Sequence, residues 1–438
     1  MRNGGLEMIS NCLKVNSQGH LEISGCDTVR LAEQYGTPLY VMSEDEIRQT
    51  CRRYVASFEK NYNGNGKPIY ASKAFSCKEI YRIVLSEGLD VEVVSGGELY
   101  TALQAGVPSS QIHFQGNNKS TGELIMALES GVGDIVVDNL YELERLETIA
   151  AEHNAIASIS FRIKPGIDAH THDFIRTGQV DSKFGLDLEN GEAMEALRRA
   201  KEMEHISVKG LHCHIGSQIL EKTPFVHAAE VMLQFYGKIR DELGMTFEHL
   251  NLGGGFGIHY TEKDDAVPYE EYMEAVSTAI HAKCRELGLD LPRIYIEPGR
   301  SIVGEAGITL YTVGAIKEIP GVRNYVAIDG GMFDNPRYAL YQSSYTCLLA
   351  NKADQPADYI ATIAGKCCES GDLIQEHTPI QRPQSGDLLA VLSTGAYNYS
   401  MASNYNRNLK PACVMVSQGE SRIIIKGETY EDLVRNDV

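Results

Sequence analysis

Between residues 67 and 300 the chain alternates short β-rich runs with longer amphipathic ones. "KPIYAS", "LDVEVVS", "QIHFQG", "GDIVVD", "ASISFRI", "SVKGLHCH", "EHLNLGGG" and "RIYIEPG" read as strands. Between them, segments such as "TGELIMALESG", "LYELERLETIAAEHN" and "EEYMEAVSTAIHAKCRELG" repeat their apolar residues at three- and four-residue steps, the spacing of a helix face. Eight strands separated by helices predict a (β/α)8 barrel over residues 43–300. A doubly wound open sheet is the rival, but eight units in succession favour closure.

After Arg300 the period changes. "ITLYTVGAIKEI", "NYVAIDGG", "DYIATIAG", "DLLAVLSTGAY", "ACVMVSQG" and "SRIIIKG" are short strands with turn signals and almost no helix, which predicts a separate all-β C-terminal domain over 301–438. The first 42 residues, with "LEISG" and "PLYVMS", are expected to add strands to it. The fold class is α/β, with no internal repeat and no low-complexity linker.

Composition narrows the partners. The 438 residues carry a net charge of −19, which repels nucleic acid and anionic membrane at long range and leaves a small anionic ligand open. No apolar run approaches the roughly 20 residues of a membrane span. The N-terminus lacks the apolar core of a secretory signal, so the ten cysteines are expected as reduced thiols in a cytoplasmic protein. Their spacing fits no zinc motif, and no resident metal is expected.

Barrel chemistry collects at the C-terminal ends of strands. Those ends carry Lys73, Ser95, Gln115, Asp138, Arg162, the pair His212 and His214, Gly253 to Gly255, and Glu297. Lys73, in "YASKAF", stands where a strand runs out among apolar residues. An amine walled by hydrocarbon loses hydration of its charged form and forms Schiff bases with aldehydes such as pyridoxal phosphate. Position alone fits a snorkelling surface lysine equally well.

"LNLGGGFG" lets backbone amides approach a phosphate, although many βα turns are glycine-rich. "YIEPGR" offers Glu297 to a pyridine nitrogen, or an ordinary salt bridge to Arg300. His212 and His214 suit a metal pair, a satisfied core position, or an imidazole stacked on a flat cofactor, with Ser217 near enough to donate to phosphate. In the β-rich half, "GKCCESGD" has the composition of an exposed tight loop around Cys368 and Glu369. "NPRYALY" supplies Arg337 and Tyr341, and "STGAYNYSMASNYN" supplies Tyr397.

These motifs, in this order, resemble those of bacterial diaminopimelate decarboxylases, pyridoxal phosphate enzymes of fold type III related to ornithine decarboxylase and alanine racemase. The match runs from "YASKAF" through "VVSGGEL", "GNNKS", "PGIDAHTHDFIRTGQVDSKFGL", "GLHCHIGSQI", "LNLGGGFGI", "IEPGRSIV", "NPRYALY" and "CCESGD" to "GAYNYSMASNYN". The resemblance implies pyridoxal 5'-phosphate held by Lys73, with His214 stacked on its ring and Glu297 on its pyridine nitrogen. Ser217, Gly254, Gly255, Pro298, Gly299, Arg300 and Tyr397 would complete the cradle.

By the same resemblance, Arg300, Arg337, Tyr341, Glu369 and Tyr397 contact substrate, and Cys368 is the proton donor. It acts from a loop that crosses to the partner's barrel in a homodimer. The implied reaction converts meso-2,6-diaminopimelate to L-lysine and carbon dioxide. A sister decarboxylase acting on carboxynorspermidine or an ornithine-like acid is the alternative. Phe75, the "DGGM" at Asp329 to Met332, and Tyr338 depart from the common family pattern without removing a reacting group.

Overall fold

The computed structural model describes residues 9–167 and 182–438. The central part of the motif "PGIDAHTHDFIRTGQVDSKFGL" lies outside them. The chain forms two compact units: residues 50–257 with 266–299, and residues 1–49 with 258–265 and 300–438.

Four strands precede the barrel: β1 (Leu13–Val15), β2 (Leu21–Ile23), β3 (Cys26–Asp27) and β4 (Leu39–Ser43). The barrel strands are β5 (Gly66–Ala71), β6 (Asp90–Val93), β7 (Ile112–Phe114), β8 (Asp134–Val137) and β9 (Ala157–Lys164), then β11 (Ile206–Cys213), β12 (His249–Asn251) and β13 (Arg293–Ile296). A two-residue strand, β10 (Leu186–Asp187), pairs beside β9. All eight barrel pairings are parallel; β8 pairs with β9, and β13 returns to β5, which closes the ring. The eight expected strands are all present, and closure excludes the open-sheet rival.

Helix starts are fixed locally. Ser95, Ser120 and Asn139 follow β6, β7 and β8 and accept the backbone N–H of Glu98, Glu123 and Glu142 at 3.2, 3.3 and 3.0 Å. Such caps satisfy amides that a helix leaves without partners. Ser95, which the sequence offers as a strand-end polar group, is therefore a helix cap.

The second unit holds β14 (Gly307–Ile319), β15 (Arg323–Ile328), β16 (Cys347–Leu349), β17 (Tyr359–Ala364), β18 (Leu373–Ile380), β19 (Leu388–Val391), β20 (Ala412–Ser417) and β21 (Glu420–Ile425). Its large sheet runs β18-β17-β15-β14-β4-β20-β21, with β19 also on β14 and β16 on β19. The "PLYVMS" segment thus supplies β4 to this sheet between β14 and β20. "LEISG" instead forms a separate antiparallel sheet, β1-β2-β3, whose Leu21 and Ile23 share one apolar core with Leu39, Val41, Leu310 and Val414. Strands β16 and β18 have no counterpart among the sequence expectations, because "CLL" is too short to read and "LIQEHTPI" breaks its alternation with polar residues.

The barrel interior is not uniformly apolar. Near its N-terminal end, His113 sits with its ring nitrogens 3.6 Å from Asp90 and 3.6 Å from Asp134, and Ser160 bonds both Asp134 and His249 at 2.8 Å. These five side chains are buried.

Candidate active site

At the opposite end of the barrel strands, Glu297 follows β13 and is 3% exposed. Its Oε1 accepts from the amides of Gln115 and of Asn251, the latter at 2.7 Å, and its Oε2 pairs with His212 Nε2 at 3.1 Å. Burial alone would favour the neutral acid. The hydrogen bond with His212 and the charge of Lys73 outweigh it and hold the carboxyl below its ordinary value. Glu297 is therefore ionised at neutral pH.

Lys73 lies in the one-turn 3-10 helix Ser72–Ala74 directly after β5. Ser72 donates to the Glu92 carbonyl, which holds this turn on β6. Hydrocarbon walls were expected around the amine. Instead Nζ lies 3.4 Å from the buried Glu92 carboxylate, and the side chain is 36% exposed. Burial raises Glu92 first and Glu297 adds repulsion, so despite Lys73 its carboxyl reaches about 7. The amine's neighbour is thus a group able to take or give a proton near neutrality.

His214, just past β11, accepts the N–H of Gly254 on Nδ1 at 3.2 Å. Burial and the charges of Lys73 and Arg162 push its imidazole well down, so the ring is neutral. A neutral flat ring fixed through Nδ1 suits stacking on another flat ring. His212 is likewise pushed down by burial and is committed to Glu297 rather than to a metal. Among the described residues no group of three or more His, Cys, Asp or Glu is arranged to hold a metal ion.

The glycines answer first to the chain's own backbone. A Cβ on Gly254 would stand 2.0 Å from the Glu297 carbonyl, and one on Gly255, with φ +115°, 2.5 Å from that of Gly216, beside Ser217. On Gly299 it would meet Ala71 at 2.9 Å and Ala74 at 3.1 Å, the residues flanking the Lys73 turn. Pro298 accepts the Ala71 N–H at 3.1 Å, so "EPG" is stitched to that turn. Close backbone approach, which glycine alone permits, gathers Lys73, His214, Ser217, Gly254, Gly255 and Glu297 at one end of one barrel.

In the β-rich unit the arginines form a second cluster. Arg300 and Arg337 are each 6% exposed, and both donate to the Tyr260 hydroxyl, Arg337 at 3.0 Å. Arg337 also donates to Tyr345 at 2.9 Å, and Tyr345 to Asn398 at 3.2 Å. Tyr397 presents its ring to Arg300, 4.7 Å from the guanidinium carbon. Tyr341 stands one turn after Arg337 on the short helix Arg337–Tyr341 and is half-buried.

Cys367 is buried and Cys368 exposed, so the cysteine pair divides between packing and solvent. Cys368 N–H is anchored by Asn406 Oδ1 at 2.7 Å, and the exposed Glu369 receives the Tyr405 hydroxyl at 3.5 Å.

Sequence reasoning missed Glu92, Asn251, Tyr260, Tyr345 and Asn398. Glu92 and Asn251 left a signal, a lone polar residue inside the apolar runs "VEVV" and "LNL". The others left none, since they are brought together only by folding.

Residues 32–304 match the family model "Pyridoxal-dependent decarboxylase, pyridoxal binding domain". The chain is 51% identical to the diaminopimelate decarboxylase of Bacillus subtilis, across 97% of this chain and 96% of that one. It is 46% identical to that of Staphylococcus aureus, across 97% and 99%. The crystal structure of diaminopimelate decarboxylase from M. jannaschii in co-complex with L-lysine superimposes with a TM-score of 0.92 at 36% identity, covering 98% of both chains. An amine, an ionised buried carboxylate, a neutral fixed imidazole and a glycine-lined turn on one barrel are a donor set that fits pyridoxal phosphate. With these matches they place the chain in the diaminopimelate decarboxylase family of pyridoxal-dependent decarboxylases.

Proposed function

We propose that this protein is a pyridoxal phosphate-dependent carboxy-lyase that converts meso-2,6-diaminopimelate to L-lysine and carbon dioxide. The observation that carries the reading is the ionised Glu297 held in one buried network with His212, in a cluster that includes Lys73. When bound, the cofactor supplies an electron-accepting ring conjugated to the substrate's α-nitrogen, which takes the electron pair left by the departing carboxylate.

The chain's residues do the rest. Lys73 would hold the cofactor at its aldehyde end through the Nζ amine. Glu297, an ionised carboxylate, would favour the protonated form of the cofactor's pyridine nitrogen. His214 would pack on the cofactor ring, and Ser217, Gly254 and Gly255 would hold the phosphate, with Pro298, Gly299, Arg300 and Tyr397 as further proposed cofactor contacts. Glu92 relieves Lys73 Nζ of its proton. The Cys368 thiol delivers a proton to the carbon that has lost carbon dioxide, and solvent restores the thiol.

Substrate choice follows from charge. The far end of diaminopimelate bears a carboxylate and an ammonium. Guanidinium matches the first in a two-point geometry, so Arg337 and Arg300, with Tyr341, take the carboxylate and Glu369 takes the ammonium. A substrate with only a distal cation, such as an ornithine-like acid, makes poor use of the buried arginines.

The working unit is a homodimer in which the Cys368 loop serves the partner's barrel. Both Cys368 and Glu369 are exposed in their own chain, as that division of labour requires. No described helix is long and apolar enough to cross a membrane, and the polar substrate and product suit a cytoplasmic enzyme.

The test is an end-point assay. Purified protein incubated with pyridoxal phosphate and meso-diaminopimelate yields lysine and carbon dioxide, and Lys73→Ala loses both the visible absorbance and the product. Lysine formation by Lys73→Ala at the wild-type rate would overturn the assignment.

A further inference from the structure

Tyr260 lies outside every motif used above, yet its hydroxyl is where the two buried arginines meet. Arg300 Nη1 and Arg337 Nη1 both donate to it, and both guanidiniums lie over its ring, 5.8 and 5.2 Å from the centroid. One oxygen shared by two cations cannot shift without moving both. The residue is itself clamped at its backbone. Its N–H donates to Asp264 at 3.0 Å, and its carbonyl receives the Thr346 N–H at 3.2 Å and the Thr346 hydroxyl at 3.0 Å. Tyr345 packs edge-on at 5.5 Å between ring centroids.

Two like charges drawn to one neutral oxygen repel each other. Among the described residues, Arg337 directs its hydrogen bonds to phenols, at Tyr260 and Tyr345, and to no carboxylate. Two guanidiniums converging on one point match an anion that both can share. Preorganisation of this kind saves the ordering of two long side chains when the anion arrives.

We infer that Tyr260 is a specificity-determining positioning residue: its hydroxyl holds Arg300 and Arg337 as one converging pair that recognises the carboxylate at the far end of a diamino acid substrate. The inference rests on the proposed role of the two arginines and deepens it. Titration behaviour agrees with the geometry. Burial alone would raise the Tyr260 phenol, but Arg300 and Arg337 reverse this and hold it below its ordinary value. Tyr345 touches one of the two guanidiniums, and there burial wins and the phenol is raised.

The test compares wild-type holoenzyme with Tyr260→Phe, which keeps the ring and removes the oxygen. L-Lysine retains the distal carboxylate and cadaverine lacks it, so inhibition by the two separates carboxylate recognition from general fit. In Tyr260→Phe, which removes two hydrogen bonds from charged groups, the KM for meso-diaminopimelate and the inhibition constant of lysine rise roughly 10-fold or more. The kcat falls far less, and the cadaverine constant and cofactor absorbance stay as in wild type. Tyr345→Phe, which removes a bond to Arg337 alone, gives a smaller rise. Equal weakening of lysine and cadaverine, or no weakening of lysine, overturns the inference. Failure of the functional reading shows earlier and differently: wild-type enzyme forms no lysine from diaminopimelate, and the inference falls with it.

Discussion

Replacing His113 with glutamine removes a cation from between two buried carboxylates, and the pH dependence of the resulting loss can be worked from the structure. The ring lies 3.6 Å from Asp90 and 3.6 Å from Asp134, with the Tyr295 ring centroid 5.2 Å away. Lys67 and Gln111 also bond Asp90, and Ser160 bonds Asp134. Burial alone would lower the imidazole's pKa, but Asp134 and Asp90 carry it up to about 9 from 6.5. Because the folded value lies above the unfolded one, the stabilisation is complete below pH 6.5 and is lost as pH rises through 9. At about 1.4 kcal/mol per tenfold step in proton affinity, that interval amounts to about 3 kcal/mol.

Glu92 also loses stabilisation as pH rises, between 4.5 and about 7, so a wild-type curve alone does not isolate His113. The difference between wild type and His113→Gln does. Urea denaturation with saturating cofactor, from about pH 6 to about pH 10, should show that difference shrinking by about 3 kcal/mol. A difference that stays constant over this range would mean that the histidine is neutral throughout and the reasoning wrong.

Three further outcomes are expected. Gly299→Ala places a methyl 2.9 Å from Ala71 beside the Lys73 turn, so it should cost about 1–3 kcal/mol in denaturation and lower kcat. Glu92→Gln cannot exchange a proton with Lys73 Nζ, so the limb of the kcat/KM profile near neutral pH should flatten; a profile superimposable on wild type would exclude that exchange. Cys368→Ala should cut turnover about 100-fold or more while cofactor absorbance persists, measured by carbon dioxide release and the visible spectrum.

Much of the architecture was legible in one dimension because strand and helix periods are local. Eight β-rich runs with amphipathic segments between them match β5 to β9 and β11 to β13 within a few residues. The residues at their ends were legible for the same reason, since a strand's last position follows from where its pattern stops. Lys73 and Glu297 were visible in this way, and motif order pointed to the family.

Short or polar elements such as β16 and β18 were not legible, because three residues carry no period and polar interruptions mimic a loop. The surroundings of Lys73 were misjudged for a different reason. Flanking residues describe a strand's own neighbours, whereas the amine faces Glu92 on the adjacent strand.

Sequence by itself determined which polar groups stand at the strand ends and the order in which the strands present them. Tertiary structure alone decided their charge states: Glu297 ionised, Glu92 near neutrality, His214 uncharged, and two arginines sharing Tyr260. The physical reason is that a pattern of apolar residues is written along the chain. Desolvation and Coulomb interaction, in contrast, depend on distances across space between residues such as Tyr260 and Arg337 that are far apart in sequence.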